Sequence, residues 1–294
     1  YRAGGGYDNP YWTINKNPFT DNVNRVFGYT QLEWAPMDNL FINYRYGLDN
    51  YSDVRKQILA KYSRTLPQGS ITDEMYSVME TNHDLTARYA KDFGKISTSV
   101  LVGFNANQRN RKSVTGYGLG LVIPDFYNMS NATDQFAYES NVGRRLWGMY
   151  GEAQVGYDDF LFLTGTMRRD QASTFGNVST PIVYPSISLG LVVSDMINMD
   201  NDFLTYFKLR ASSAKVGSEP AFGSNATYFN QASAGSGWIN GIGFPFLGQT
   251  GFSQSNTLGN PELRPEYAIT NEVGAEMRFL KDRIFMDVTL YDQR

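Results

Sequence analysis

The chain has 294 residues, a net charge of −3, no cysteine and one histidine. Its length suits one large all-β domain or two modest ones. The charge argues against nucleic acid as a partner, and the missing thiols exclude a disulfide scaffold and a thiolate metal site.

At the start, Arg2 is followed by Gly4, Gly5 and Gly6 and not by an apolar leader. Residues 1–22 are expected to be a loop leading into a folded part, 23–294. No stretch approaches 18 consecutive apolar residues, so no transmembrane helix is expected. From Val23 onward the hydropathy predicts ten alternating runs. Their gaps begin with a tight turn at Pro36–Asn39 and a long polar stretch near Gln57–Val78. Asp92–Lys95 is short, and the next gap, near Lys112–Gly143, is long. Tyr157–Phe160 precedes a moderate loop at Ser173–Thr180. Met196–Asp202 precedes the longest gap, near Gly217–Arg264, and Leu280–Arg283 is the last turn. Strands of about ten residues, with short turns at one end and long loops at the other, are the signature of an antiparallel transmembrane β-barrel.

The runs have two faces, because side chains alternate along a strand. Ile96, Thr98, Val100, Val102, Phe104 and Ala106 oppose Ser97, Ser99, Gly103, Asn105 and Asn107. Trp147, Met149, Gly151, Ala153, Val155 and Tyr157 oppose Gly148, Tyr150, Glu152, Gln154 and Gly156. Ile269, Val273, Ala275, Met277 and Phe279 oppose Thr270, Glu272, Glu276 and Arg278; Ile284, Met286, Val288 and Leu290 oppose Phe285, Asp287, Thr289 and Tyr291. Half-buried strands of a soluble sheet would alternate similarly. The membrane reading is favoured by run length, by small residues on the apolar face and by charges on the polar one: Arg45, Arg88, Glu152, Lys208, Arg210, Glu272 and Glu276. A basic residue at the lipid midplane would cost roughly 2–4 kcal/mol; on a lumen face it costs little. The 15% aromatic content suits interfacial girdles, although a Tyr-rich sandwich would score alike.

Six segments carry a family resemblance. They are Asn9-Pro10-Tyr11-Trp12 with Lys16-Asn17-Pro18; Val122 to Asn131; Arg144 to Tyr157 with Asp159-Phe160-Leu161; Tyr184-Pro185-Ser186-Ile187-Ser188; Lys208-Leu209-Arg210-Ala211-Ser212 with Val216-Gly217; and Asn260 to Glu266. In this order they resemble the SusC/RagA-type TonB-dependent transporters of Bacteroidetes outer membranes. The resemblance implies about ten strands of a larger, 22-stranded barrel, with plug, TonB box and final strands missing, so the chain reads as an internal fragment. It implies import of oligosaccharides or peptides and no enzymatic activity. The implied partners are a SusD-like lipoprotein, a TonB–ExbB–ExbD complex acting through the plug, and outer-membrane lipid. The alternatives are a TonB-dependent siderophore or cobalamin receptor, or a soluble secreted β-rich carbohydrate-binding module.

No catalytic constellation, metal site or cofactor is expected. His83 reads as a structural or solvated polar-face residue at the start of a strand. Gly116-Tyr117-Gly118-Leu119-Gly120 lacks a following lysine and reads as a flexible loop, not a phosphate cradle. Asn198, Asp200 and Asp202 lack a closing glutamate and read as a charged hairpin turn. Asn128, Asn131, Asn177 and Asn225 begin chance N-x-S/T triplets if the protein is bacterial. Pro261 and Pro265 are expected to guide the chain into a strand. The candidate ligand-binding residues are loop aromatics: Tyr117, Phe126 and Tyr127 in one loop, Trp238, Phe244 and Phe246 in the largest. Flat rings stack on sugars or peptide groups, or else merely pack their own loop.

Overall fold

The computed structural model describes residues 7–175, 181–199, 201–234 and 242–294. One antiparallel ten-stranded sheet dominates. In sheet order it comprises β1 (Phe19–Met37), β2 (Leu40–Leu59), β3 (Ser70–Phe93), β4 (Ile96–Leu121), β5 (Ala132–Tyr157), β6 (Leu161–Ala172), β7 (Ile182–Val192) and β8 (Leu204–Ser218). Four short strands then intervene: β9 (Phe229–Gln231), β10 (Ser233–Ala234), β11 (Ile242–Gly243) and β12 (Phe252–Gln254). They pair as β9 with β12 and β10 with β11. The large sheet ends with β13 (Glu266–Phe279), paired to β8, and β14 (Ile284–Gln293). Every sequential neighbour is also a spatial neighbour apart from this one excursion, a meander as expected.

Register aligns the two faces across strands. Val273 lies opposite Ala211 and Leu290, Ala275 opposite Leu209 and Val288, Met277 opposite Phe207 and Met286. Val155 lies opposite Leu163, which lies opposite Leu189. A one-residue slip would exchange the faces, so this agreement ties register to hydropathy. The apolar side chains remain uncovered: Val273 is 62% and Leu290 74% exposed. Among the described residues the only further sheets are the two small ladders, so no second sheet closes a sandwich over this face. A contiguous apolar surface of this extent needs another solvent or partner than water.

Buried side chains gather instead in two small clusters near strand ends. Ile71, Leu121 and Ala132 pack with Tyr127 and Met129; Ala172, Phe175 and Ile182 pack with Leu146, Tyr184 and Leu263. The described residues form two compact units. One holds 7–31, 45–83 and 107–143; the other holds 32–44, 84–106 and the described part of 144–294.

Several boundaries differ from the sequence reading. β1 begins at Phe19 instead of Val23, after a helix, α1 (Pro10–Lys16), whose N-cap Asn9 accepts from the Tyr11 amide. The long gaps near 57–78 and 112–143 shrink to 60–69 and 122–131, because β2 to β5 run for 20, 24, 26 and 26 residues. About 9–11 residues cross a membrane. Beyond it both faces of a strand can be polar, and hydropathy then cannot tell strand from loop. Gly116–Gly120 accordingly lies in β4 and is not a loop. A Cβ at Gly118 would sit 2.7 Å from the Ala132 Cβ and 2.8 Å from the Met129 sulfur, so glycine lets the next segment fold back onto the strand. His83 is inside β3, not at its start, and shares strand parity with apolar-face Leu85. Its ring is 5.0 Å from that of Tyr46. After β7 the chain makes a one-turn helix, α2 (Val193–Met196), before the segment read as a hairpin turn. Asp200 and Asn177 lie outside the described residues.

Candidate functional site

The polar face is built from cross-strand pairs. In the first unit Arg25 donates from Nε and Nη2 to both oxygens of Asp49, at 2.8 and 2.5 Å. Asn107 donates to Glu80 at 2.9 Å, with Arg109 3.8 Å from the same carboxylate. In the second unit Arg210 clasps Asp287 at 2.6 and 2.9 Å, Asn105 donates to Asp84, and Arg88 donates to Ser99. Thr166 and Ser186 hydroxyls meet at 2.5 Å. These pairs are partly exposed, so water screens them and each contributes little to stability. What they do collectively is cancel charge along a face that presents hydroxyls, amides and rings to water. In the second unit that face holds a concavity of about 510 Å³, lined by Gln154, Phe162, Ser188, Lys208, Arg210 and Glu272.

The motif segments pin the strand ends opposite the short turns. Trp12 donates its indole N–H to the Ser63 hydroxyl at 2.9 Å, and the Asn17 side-chain Oδ1 accepts from the Ala60 amide and from the Ser63 hydroxyl. Lys16 pairs with Asp125 at 2.9 Å, joining α1 to the 122–131 loop. Within that loop Asn131 is buried; its side chain accepts from the Ile123 amide and donates to the Ile123 and Phe126 carbonyls. Asn128 caps the following 3-10 turn by accepting from Ser130. Asp125, held by Lys16 and then by the Tyr127 hydroxyl, has its pKa lowered from the ordinary carboxylate range. Burial, and then the bond to Asp125, pushes the Tyr127 phenol up to about 12. Near β13, Asn260 accepts from the Glu262 amide, while Leu263 packs on the Phe175 cluster.

Solved structures share this wall. The RagAB peptide transporter superposes with a TM-score of 0.87 at 16% identity, covering 100% of this chain and 32% of that one. The ferric citrate transporter FecA gives 0.56 at 12% identity, over 98% and 38%. The siderophore receptor PiuA from Acinetobacter baumannii gives 0.53 at 11%, over 92% and 40%. No curated protein sequence matches. The profile of the family described as TonB dependent receptor-like, beta-barrel, matches residues 1–294. The chain belongs to this family.

Its sheet is therefore a stretch of outer-membrane TonB-dependent receptor barrel, apolar face to lipid, and it spans about a third of the length of the RagAB chain it matches. The soluble sandwich is set aside. Of the predicted ligand aromatics, Tyr117 sits on β4 and not in a loop, stacked on Phe136 at 6.2 Å between centroids. Tyr127 packs inward on the Ile71 cluster, whereas Phe126 is 48% exposed. Phe244 is half-buried, its carbonyl accepting from Gln231 and its amide donating to Ala232, and Phe246 is exposed, bridged to Gln249. Trp238 lies outside the described residues. Sequence reasoning did not foresee the wall pairs Arg25–Asp49 and Arg210–Asp287. The available signal was charge at polar-face positions; which partner each charge meets depends on cross-strand register.

Proposed function

We propose that the receptor to which this wall belongs is a SusC/RagA-type importer of oligomeric nutrients, peptides or oligosaccharides. The observation that carries this reading is the 0.87 TM-score with RagAB over 100% of the chain, against 0.56 for FecA. The six ordered motifs support it independently. On this reading the short turns face the periplasm, and the 60–69, 122–131 and 219–265 segments face outside. A SusD-like lipoprotein caps the mouth, and the TonB–ExbB–ExbD complex drives passage through a plug. Cargo leaves unchanged, so the protein is not an enzyme. Tyr117, Phe126, Phe244 and Phe246 offer rings to cargo, while Tyr127 serves mainly to pack its loop; Trp238 remains a candidate.

The test is uptake. Cells carrying the complete receptor and its neighbouring lipoprotein should take up fluorescent oligopeptides or oligosaccharides, and deletion of the receptor should abolish it. A receptor that instead restores growth on a ferric siderophore, with no oligomer uptake, would establish the siderophore alternative.

A further inference from the structure

On the polar face of the first unit, two guanidiniums share one ring. The Arg55 Cζ lies 4.9 Å and the Arg111 Cζ 5.0 Å from the centroid of Tyr76. Arg55 on β2, Tyr76 on β3 and Arg111 on β4 lie at even spacings from Asp49, Glu80 and Arg109, which belong to the paired charges of the same face. The cluster lies well beyond the short-turn ends of long strands: Tyr76 is near the start of β3, and Arg111 is in the last half of β4.

The two cations are supported unequally. Arg55 places both Nε, at 2.8 Å, and Nη2, at 2.6 Å, on a single oxygen of Asp53. That carboxylate is buried, its side chain 7% exposed, and its other oxygen has no partner. Glu74 adds a weaker field at Arg55. Asp53 therefore holds Arg55 through Nε and Nη2, and among the described residues no ion pair engages its Nη1. Arg111 is exposed, and among the described residues no carboxylate lies within ion-pair distance of it; the Tyr76 ring is its contact. Stacking fixes a guanidinium plane while leaving its in-plane donors available. A planar acceptor of matching spacing, a carboxylate, can take two parallel N–H bonds from such a fork.

We infer that Arg111 and Arg55, held on Tyr76, form a carboxylate-binding station for cargo on the receptor's inner wall. This rests on the import reading. The carboxylate can come from a peptide C-terminus or from a uronic acid residue of an oligosaccharide. Losing charge-assisted hydrogen bonds of this kind weakens binding about tenfold or more.

Binding is measured by calorimetry on the complete detergent-purified receptor. The probes are a neutral octapeptide as free acid and as C-terminal amide, and an oligogalacturonate with its methyl ester. The wild type should prefer a free acid over its capped form about tenfold. Arg111→Gln should remove that preference without weakening the capped form, and Arg111→Lys should recover part of it. A preference in the peptide pair assigns the carboxylate to peptides, and in the galacturonate pair to acidic glycans. No acid preference in the wild type with either pair, or equal weakening of acid and capped forms by Arg111→Gln, overturns the station. Uptake of the capped probes by cells is scored in parallel. If they enter, import stands whatever the station does; if no probe enters although acids bind, import fails and the station stands.

Discussion

Single side chains already separate the two faces. Val155 and Ala275 lie among apolar neighbours on adjoining strands, while Gln154 lines the polar concavity opposite Thr164. Val155→Arg or Ala275→Arg should impair outer-membrane assembly, with a cost rising to about 2–4 kcal/mol toward the midplane. Gln154→Arg should assemble normally, as read from heat-modifiable migration on gels. Gly103 makes a different demand: a Cβ there would enter the ring of Tyr150, which lies across it. Gly103→Ala should lower stability by about 1–3 kcal/mol through overpacking, and pairing it with Tyr150→Ala should relieve that cost. Equal stability of the single and double variants would show that the ring does not depend on the glycine. The alternation of these residues was legible in sequence because lipid and water select opposite side chains at successive positions. The tyrosine over the glycine was not, since it depends on which strand lies alongside.

Elements follow the same division. The short turns at 38–39, 94–95, 158–160 and 280–283 fell where tetrapeptides carrying Asp, each near a strand end, interrupt alternation. The outer halves of β2 to β5 did not, because a strand that has left the membrane no longer needs an apolar face. The 122–131 loop carries one of the motifs. Asn131 and Tyr127 fold it upon itself and onto the Ile71 cluster, while Phe126 stays exposed. Asn131→Ala would leave the Ile123 amide and two carbonyls without their partner, at about 1–3 kcal/mol. Faster hydrogen exchange confined to 122–131 is the expected outcome. The Tyr127 phenol supplies a pH signature. Its folded pKa is raised above the ordinary 10.0, to about 12, so its contribution is complete below pH 10 and disappears as pH climbs toward 12. Asp125 runs the opposite way: its lowered pKa keeps the Lys16 pair intact above the ordinary carboxylate range, and acidification through the folded pKa breaks it. Ultraviolet titration should therefore show a smaller phenolate step near pH 12 in Tyr127→Phe than in the wild type.

At the scale of the molecule, the sheet begins with β1 and ends with β14, each with one edge unpaired among the described strands. Open edges are not tolerated in hydrocarbon, so this wall reaches the membrane only as part of a closed barrel. That architecture was legible from the alternation of short and long gaps and from the six ordered motifs; cargo identity was not, because specificity lies in side-chain placement on a fold shared by many receptors. One face of this wall meets lipid and the other meets water. This chain has no cysteine, so once any cysteine elsewhere in the receptor is replaced, an introduced thiol reads one position. Single cysteines are placed at each position from 152 to 155 in the complete receptor, in native outer membranes, and probed with a membrane-impermeant and a lipid-soluble maleimide. Strict alternation is predicted: aqueous labelling at 152 and 154, lipid-phase labelling at 153 and 155. Uniform aqueous labelling at all four positions would contradict it.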